Sequence, residues 1–181
     1  MIVILTGKTA SGKDTVISKL LSKLPDFRKV TTTTSRFPRE GEKNGADYNF
    51  ISREDFKQKI EKGLFFEHVE YGGNFYGTEK TQFANTSQGL IWRIDPSRAG
   101  KIRQLIDSPI LVIYLTVPDS VVLERLKKRN FSHEEIEKRM KEDRKFWEEY
   151  KEKYDFVVEN IPGKLDQTVD KIIKIIENRI S

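Results

Sequence analysis

The chain of 181 residues has no cysteine and only two histidines. Disulfide frameworks and thiolate metal sites are therefore excluded, as expected of a protein working in a reducing cytoplasm. His68 and His133 lie too far apart in sequence for zinc-type spacing. Long hydrophobic runs are lacking too. The opening apolar run, Ile2 to Leu5, stops at Gly7, too short for a signal peptide or a membrane span. A large excess of one charge sign is also lacking. Lys and Arg number 33 against 28 Asp and Glu, a formal charge of +5 that is dispersed along the chain. No basic block stands without nearby acids, so nucleic-acid binding is not indicated, while a small polyanionic ligand suits the balance. Repeats, low-complexity tracts and interdomain linkers are missing as well. With 36% hydrophobic and 34% charged residues, the composition is that of one compact globular domain.

What is present is an alternation of apolar patterns. Residues 2–6, IVILT, read as a buried strand, and residues 13–23 carry apolar positions at helical spacing until Pro25 closes the helix. Residues 27–34, rich in Val and Thr, read as extended. The stretch SRFPREGEKNGADYNF holds turn residues and leads into a short strand. Ser52, with Asp55 three residues on, predicts a capped helix to Lys62. Two short strands flank the Gly72-Gly73 turn. A short helix near 79–86, a strand over 88–95, a helix over 97–107 and a buried strand over 109–117 follow. Helices over 119–128 and 133–151, a strand over 155–160 and a helix over 164–179 finish the chain. Such alternation predicts a parallel sheet wrapped by helices on both faces. The short strands between 45 and 78 and the charged helical pair after Val117 interrupt it, and both are candidates for mobile pieces over a ligand.

Between the first strand and the first helix stands Gly7-Lys8-Thr9-Ala10-Ser11-Gly12-Lys13. The G-x-x-x-x-G-K spacing is the first half of a P-loop. Its glycines let the backbone wrap a phosphate with amides turned inward, and the helix N-terminus adds positive potential. Lys13 brings a mobile charge to the outer phosphates of a nucleotide. The next position usually carries a hydroxyl that meets Mg²⁺, yet here Asp14 precedes Thr15. Asp14 either holds Mg²⁺ through water or only supports the helix start, and Thr15 is the alternative metal contact.

A second anion site is legible further on. Arg36 and Arg39 flank Pro38, whose restricted backbone lets both guanidiniums converge on one phosphate, with Tyr48 adding a hydroxyl. A glutamate such as Glu67 can accept two hydrogen bonds from a guanine edge, where adenine offers no equivalent donors, and Thr78 and Thr32 can complete that edge.

These residues together resemble the guanylate kinase family. The likeness runs through GKTASGKDT, SRFPREGEKNGADYNF, FFEHVEYGGNFYGT, RID and LERLKKRN to EEIEKRM, and so covers the chain. It implies an α/β P-loop three-layer fold with a parallel five-stranded sheet, a GMP-binding insert of short strands plus a helix, and a helical lid. The P-loop core would comprise 1–34, 79–117 and 152–181, the insert 35–78, and the core helix with lid 118–151. The resemblance implies transfer of a phosphoryl group from MgATP to GMP, with Mg²⁺ as cofactor, ATP as co-substrate, and closure of insert and lid gating turnover. It gives Gly7 to Thr15 with Arg125 and Arg129 as the ATP site, and Thr32, Arg36, Arg39, Tyr48, Glu67, Tyr76, Thr78 and Asp95 as the GMP site. Lys13, Arg36, Arg129 and Arg139 are the implied catalytic residues, with Arg144 a further lid candidate. Metal candidates are Asp14, Thr15 and Asp95, mostly through water. The expected state is a cytoplasmic monomer or homodimer, away from membranes and nucleic acids.

The chain also departs from the family pattern. The strand ending in Asp-x-Asp appears as Arg93-Ile94-Asp95, and the following Gln-Gly has become PSRAG. Arg93 neutralises Asp14, contacts a phosphate, or points outward. Gly-Lys-Asp and SRA are also similar to ribose-bisphosphate kinases, a second enzymatic reading. A non-catalytic binding module is a third, which the presence of Lys13 and the lid arginines argues against.

Overall fold

The computed structural model describes residues 1–71, 73–84, 87–104, 106 and 109–180. Strand β1 (Ile2–Gly7) is buried at every position, as a strand covered on both faces must be. It feeds α1 (Lys13–Lys23), whose Val16, Ile17 and Leu20 turn into the core. Then come β2 (Phe27–Val30), β3 (Thr33–Thr34), β4 (Asn49–Phe50), α2 (Arg53–Glu61), β5 (Phe65–Tyr71) and β6 (Asn74–Glu79). They are followed by β7 (Gly89–Arg93), α3 (Pro96–Lys101), β8 (Ile110–Thr116), α4 (Asp119–Lys128), α5 (His133–Tyr150), β9 (Phe156–Glu159) and α6 (Leu165–Ile180).

The chain forms two compact units, one of Met1–Lys29 with Gln88–Ser181 and one of Val30–Ser87. In the first, five strands run in the order β2-β7-β1-β8-β9. β1 pairs in parallel with β7 and β8, and β8 with β9. This is the expected parallel five-stranded α/β sheet. Side chains alternate across it. Val3, Leu5, Ile113 and Leu115 join Leu20 of α1 and Ile172 and Ile176 of α6 in one core. On the other face the Tyr114 ring lies 5.1 Å from that of Trp147 in α5. A smaller cluster of Val117, Val122, Leu126 and Ile136 packs α4 against α5.

The second unit is a four-stranded sheet in the order β4-β3-β6-β5. The β5–β6 and β3–β6 pairs are antiparallel, and β3–β4 is parallel. α2 anchors to it through Phe56, stacked 4.3 Å from Phe65 and 5.3 Å from Phe75. Ser52 caps α2 as expected, accepting from the Asp55 amide.

Two expectations about helices are corrected, and the extended stretch is divided. The extended 27–34 stretch is two strands in two sheets. At the break the Thr31 amide donates to Gln82 Oε1 at 3.0 Å and the Thr32 carbonyl accepts from Asn49 at 2.9 Å, so the ladder changes partner. The helix expected over 97–107 ends at Lys101 and tightens into a 3₁₀ turn at Ile102–Gln104, residues 105, 107 and 108 lying outside the described part. The helix expected over 79–86 is a 3₁₀ turn, Lys80–Phe83, with 85 and 86 outside the described residues, as is Gly72 of the expected turn. Among the described residues no helix is long and apolar enough to cross a membrane.

Candidate active site

The turn from β1 to α1 is a cradle shaped by its own sequence. Gly7 has φ of +140°, and a Cβ there would lie 2.0 Å from the Leu115 carbonyl oxygen on the neighbouring strand. Only glycine lets the loop leave the sheet this closely. Gly12, the residue before α1, has φ of +90°, and a Cβ would meet Asn160 Nδ2 at 2.7 Å. Asn160 Nδ2 donates to the Ser11 carbonyl at 2.8 Å and so holds the loop from the end of β9. The Lys13 ammonium curls back over the loop, donating to the carbonyls of Gly7 at 2.9 Å and Lys8 at 2.8 Å. Its burial lowers the pKa from 10.5 to about 8. Asp143 and Asp14 oppose that shift, and the Arg93 and Arg129 charges add to it. The loop therefore presents backbone amides, a helix N-terminus and a cation together, which is an anion receptor.

Three consecutive loop residues are held by α4 and α5. Lys8 Nζ donates to the Val117 carbonyl at 3.2 Å and pairs with Asp119 at the start of α4. The Thr9 amide and hydroxyl donate to the two oxygens of Asp143 on α5, at 2.8 and 3.2 Å. The Ala10 carbonyl accepts from Arg125 Nη1 at 2.7 Å. Beside the loop opens a cavity of about 400 Å³ bounded by Thr15, Arg125, Arg129, Asn160, Ile161 and Leu165, among others. Its walls mix apolar side chains, two guanidiniums and an amide, which suits a heteroaromatic base carrying phosphates. Arg129 lies just past the last residue of α4, the cap of the helix rather than part of its face. Arg139 stacks 4.6 Å over the Phe131 ring, and exposed Arg144 lies 3.9 Å from Asp119.

Arg93 does not point away. Its guanidinium pairs with Asp14, on the second residue of α1. Asp95 caps α3, accepting from Ser97 Oγ at 2.6 Å and the Arg98 amide at 3.1 Å and pairing with the Arg98 side chain. Burial pushes its carboxyl up, but the Arg98 charge and these hydrogen bonds outweigh burial and hold it below the ordinary range. Both Asp95 oxygens are thus engaged, and it belongs to the unit of the P-loop rather than to that of the other GMP candidates. Among the described residues no cluster of three or more acids or histidines could ligate a metal by itself.

In the second unit Arg36 is fixed from three sides. It donates to the Phe37 carbonyl at 2.7 Å and to Glu42 Oε1 at 2.9 Å, and stands 5.4 Å from the centre of the Tyr48 ring. The other oxygen of Glu42 accepts from the Arg39 amide at 2.8 Å, so one carboxylate shapes the whole Arg36–Arg39 turn. The Tyr48 and Tyr76 rings meet edge to face at 6.2 Å. Glu67 of β5 and Thr78 of β6 are cross-strand partners, with the Thr78 hydroxyl donating to Glu67 Oε1 at 2.8 Å. Thr32 and Thr78 are both buried in this unit. Sequence reading missed Glu42, Asn160 and Asp143. The R-E-G-E turn signalled the first faintly, and nothing local signalled the other two.

A strand–glycine loop–helix cradle on a parallel sheet, with a half-buried lysine folded over it, defines a P-loop nucleotide-binding protein of the α/β class. The family model described as guanylate kinase matches residues 1–179. The chain belongs to the guanylate kinase family. It is 33% identical to a guanylate kinase of Chlorobium luteolum over 99% of this chain and 92% of that protein. It is likewise 33% identical to one of Caldanaerobacter subterraneus over 97% of this chain and 86% of that protein. The crystal structure of guanylate kinase from Anaplasma phagocytophilum superposes with a TM-score of 0.73 at 29% identity, covering 98% of this chain and 85% of that one.

Proposed function

We infer that this chain is an ATP:GMP phosphotransferase, moving the terminal phosphoryl group of ATP to GMP and the reverse. The observation that carries the reading is the P-loop, with Lys13 bent over the carbonyls of Gly7 and Lys8 while α4 and α5 bring Arg125, Arg129 and Arg139 to the same unit. Phosphoryl transfer asks little of a general base. It needs donor and acceptor oxygens in line and the migrating charge neutralised. Residues 7–15, Arg125 and Arg129 take the ATP, its base in the cavity that reaches Ile161 and Leu165. Residues 118–151 act as core helix and lid, and residues 35–78 as the GMP insert. There Arg36, Arg39, Tyr48 and Tyr76 hold the GMP phosphate, while Glu67, Thr78 and Thr32 read the guanine edge. Arg36 is already aimed by Glu42, so little side-chain freedom is lost when phosphate arrives.

Mg²⁺ fits as an ion carried in by the nucleotide. The hard oxygens of Thr15 and Asp14 at the start of α1 suit contact through water, whereas Asp95 is engaged elsewhere. When bound, the ion screens charge on the donor phosphates. The working compartment is the cytoplasm, in keeping with a chain free of cysteine.

The test is ADP release from ATP and Mg²⁺ with GMP, dGMP, AMP, CMP, UMP or ribose bisphosphate as acceptor. Turnover with GMP far above AMP is expected. Turnover with ribose bisphosphate alone would replace the reading with its sugar-phosphate alternative, and absence of ATP binding would replace it with a binding module.

A further inference from the structure

Asp143 is the one charged side chain that is buried among the described residues, at 7% exposure, while its neighbours Arg144 and Lys145 are exposed. A buried carboxylate is costly unless its oxygens are hydrogen-bonded. Here both are, and both to one residue, Thr9 of the P-loop. The surroundings account for the expense. Trp147, one turn further along α5, packs on Tyr114 at 5.1 Å, so Asp143 occupies a position where an apolar residue would complete the layer. Burial accordingly raises its carboxyl, against the pull of Thr9, Lys13 and Lys8. Arg139 lies four residues earlier on the same face of α5, about 6 Å along the axis. Lys8 and Ala10, on either side of Thr9, are tied to α4 through Asp119 and Arg125.

We propose that Asp143 is a positioning residue of the donor site: its two bonds to Thr9 hold the P-loop in its phosphate-receiving shape and set the distance from that loop to the helix bearing Arg139. The inference rests on the phosphotransferase reading above and deepens its donor side. Asp143 acts through its two bonds to Thr9, and its charge also bears on Lys13. A carboxylate at this position exchanges core packing for a rigid link between loop and lid. The acceptor unit has no part in it.

The experiment compares the parent chain with Asp143→Ala, Asp143→Asn and Asp143→Leu. It measures the Kd for ADP by calorimetry, KM for ATP and for GMP, kcat and Tm. Asp143→Ala is expected to weaken ADP binding and raise KM for ATP about tenfold, and to lower kcat by a similar factor, with KM for GMP within twofold. That factor corresponds to losing about 1.4 kcal/mol of buried hydrogen bonding. Asp143→Asn is expected to recover most of the loss, since its amide oxygen accepts from the Thr9 amide and its nitrogen reaches the Thr9 hydroxyl. Asp143→Leu, near-isosteric and apolar, keeps the layer filled if the alanine variant fails to fold. It is expected to retain Tm within a few degrees while losing ADP affinity as alanine does. ADP affinity and KM for ATP within twofold of the parent in a folded Ala or Leu variant would overturn the proposal. So would an asparagine variant as impaired as alanine, because a purely structural role lowers Tm and active fraction without that rescue. ADP binding needs no acceptor. A parent chain that binds ADP but ignores GMP would therefore sink the acceptor reading and leave the Asp143 result standing.

Discussion

Arg93, at the end of β7, and Asp14, in the first turn of α1, form an ion pair next to the P-loop. The Asp14 side chain is 69% exposed, so water screens the pair and its worth to the fold is about 0–1 kcal/mol. Its role is therefore local charge. Two opposite charges stand beside the loop proposed to receive the donor phosphates, and each adjusts the other's field.

Removing either partner should move nucleotide affinity in opposite directions. Asp14→Asn leaves Arg93 uncompensated and is expected to tighten binding of metal-free ADP about two- to fivefold. Arg93→Ala leaves Asp14 facing the phosphates and is expected to loosen it by a similar factor. Calorimetry at low salt measures both, with Tm expected to stay within a few degrees. Shifts of the same sign in the two variants would contradict the electrostatic account.

Much of the fold was legible because its signals are local. The β1 run, the glycine loop and the amphipathic α1 lie adjacent in the chain, and the Ser52 cap declares itself within four residues. What escaped depends on distant partners. The 27–34 stretch is uniformly extended, so its composition hides the change of sheet at Thr31 and Thr32, which Gln82 and Asn49 impose from elsewhere. Asp143 sits in a run of alternating charges that reads as a solvated helix face. Its burial follows from the approach of Thr9, 134 residues away. Glu42 was similarly hidden, since a glutamate in a charged turn shows its role only once the chain has folded back onto Arg36. The resemblance to a family named the arginines but said nothing of what aims them.

The depressed pKa of Lys13 has a consequence for pH. In the unfolded chain the amine titrates near 10.5, and in the folded one near 8. Between those values the unfolded state binds more protons, so this group's contribution to stability rises with pH from about 8 to 10.5. Phosphate favours the charged amine, so nucleotide binding above pH 8 must take up a proton. ADP affinity is expected to be nearly flat from pH 7 to 7.5 and to fall by up to tenfold per unit well above pH 8. Calorimetry at pH 8.5 in buffers of different ionisation heat should register the uptake. Lys13→Arg, charged throughout, should bind less well but without that slope.

On the proposed function, the pairing of Glu67 with Thr78 bears on base selection. The buried Thr78 hydroxyl donates to Glu67 Oε1 at 2.8 Å across the β5–β6 ladder, which fixes the carboxylate's orientation within its unit. A carboxylate accepts from both donors of a guanine edge, and each bond to a charged acceptor is worth about 1.5–3 kcal/mol. Glu67→Gln turns one acceptor into a donor and removes the charge, so the preference for GMP over AMP in kcat/KM should fall by about ten- to a hundredfold. Thr78→Val keeps the volume but removes this bond to the carboxylate, and a smaller loss of about threefold is expected in the same ratio. Both variants should leave the Kd for ADP at the parent value, since the P-loop is untouched. A GMP-to-AMP ratio unmoved by Glu67→Gln would show that the guanine edge is read elsewhere.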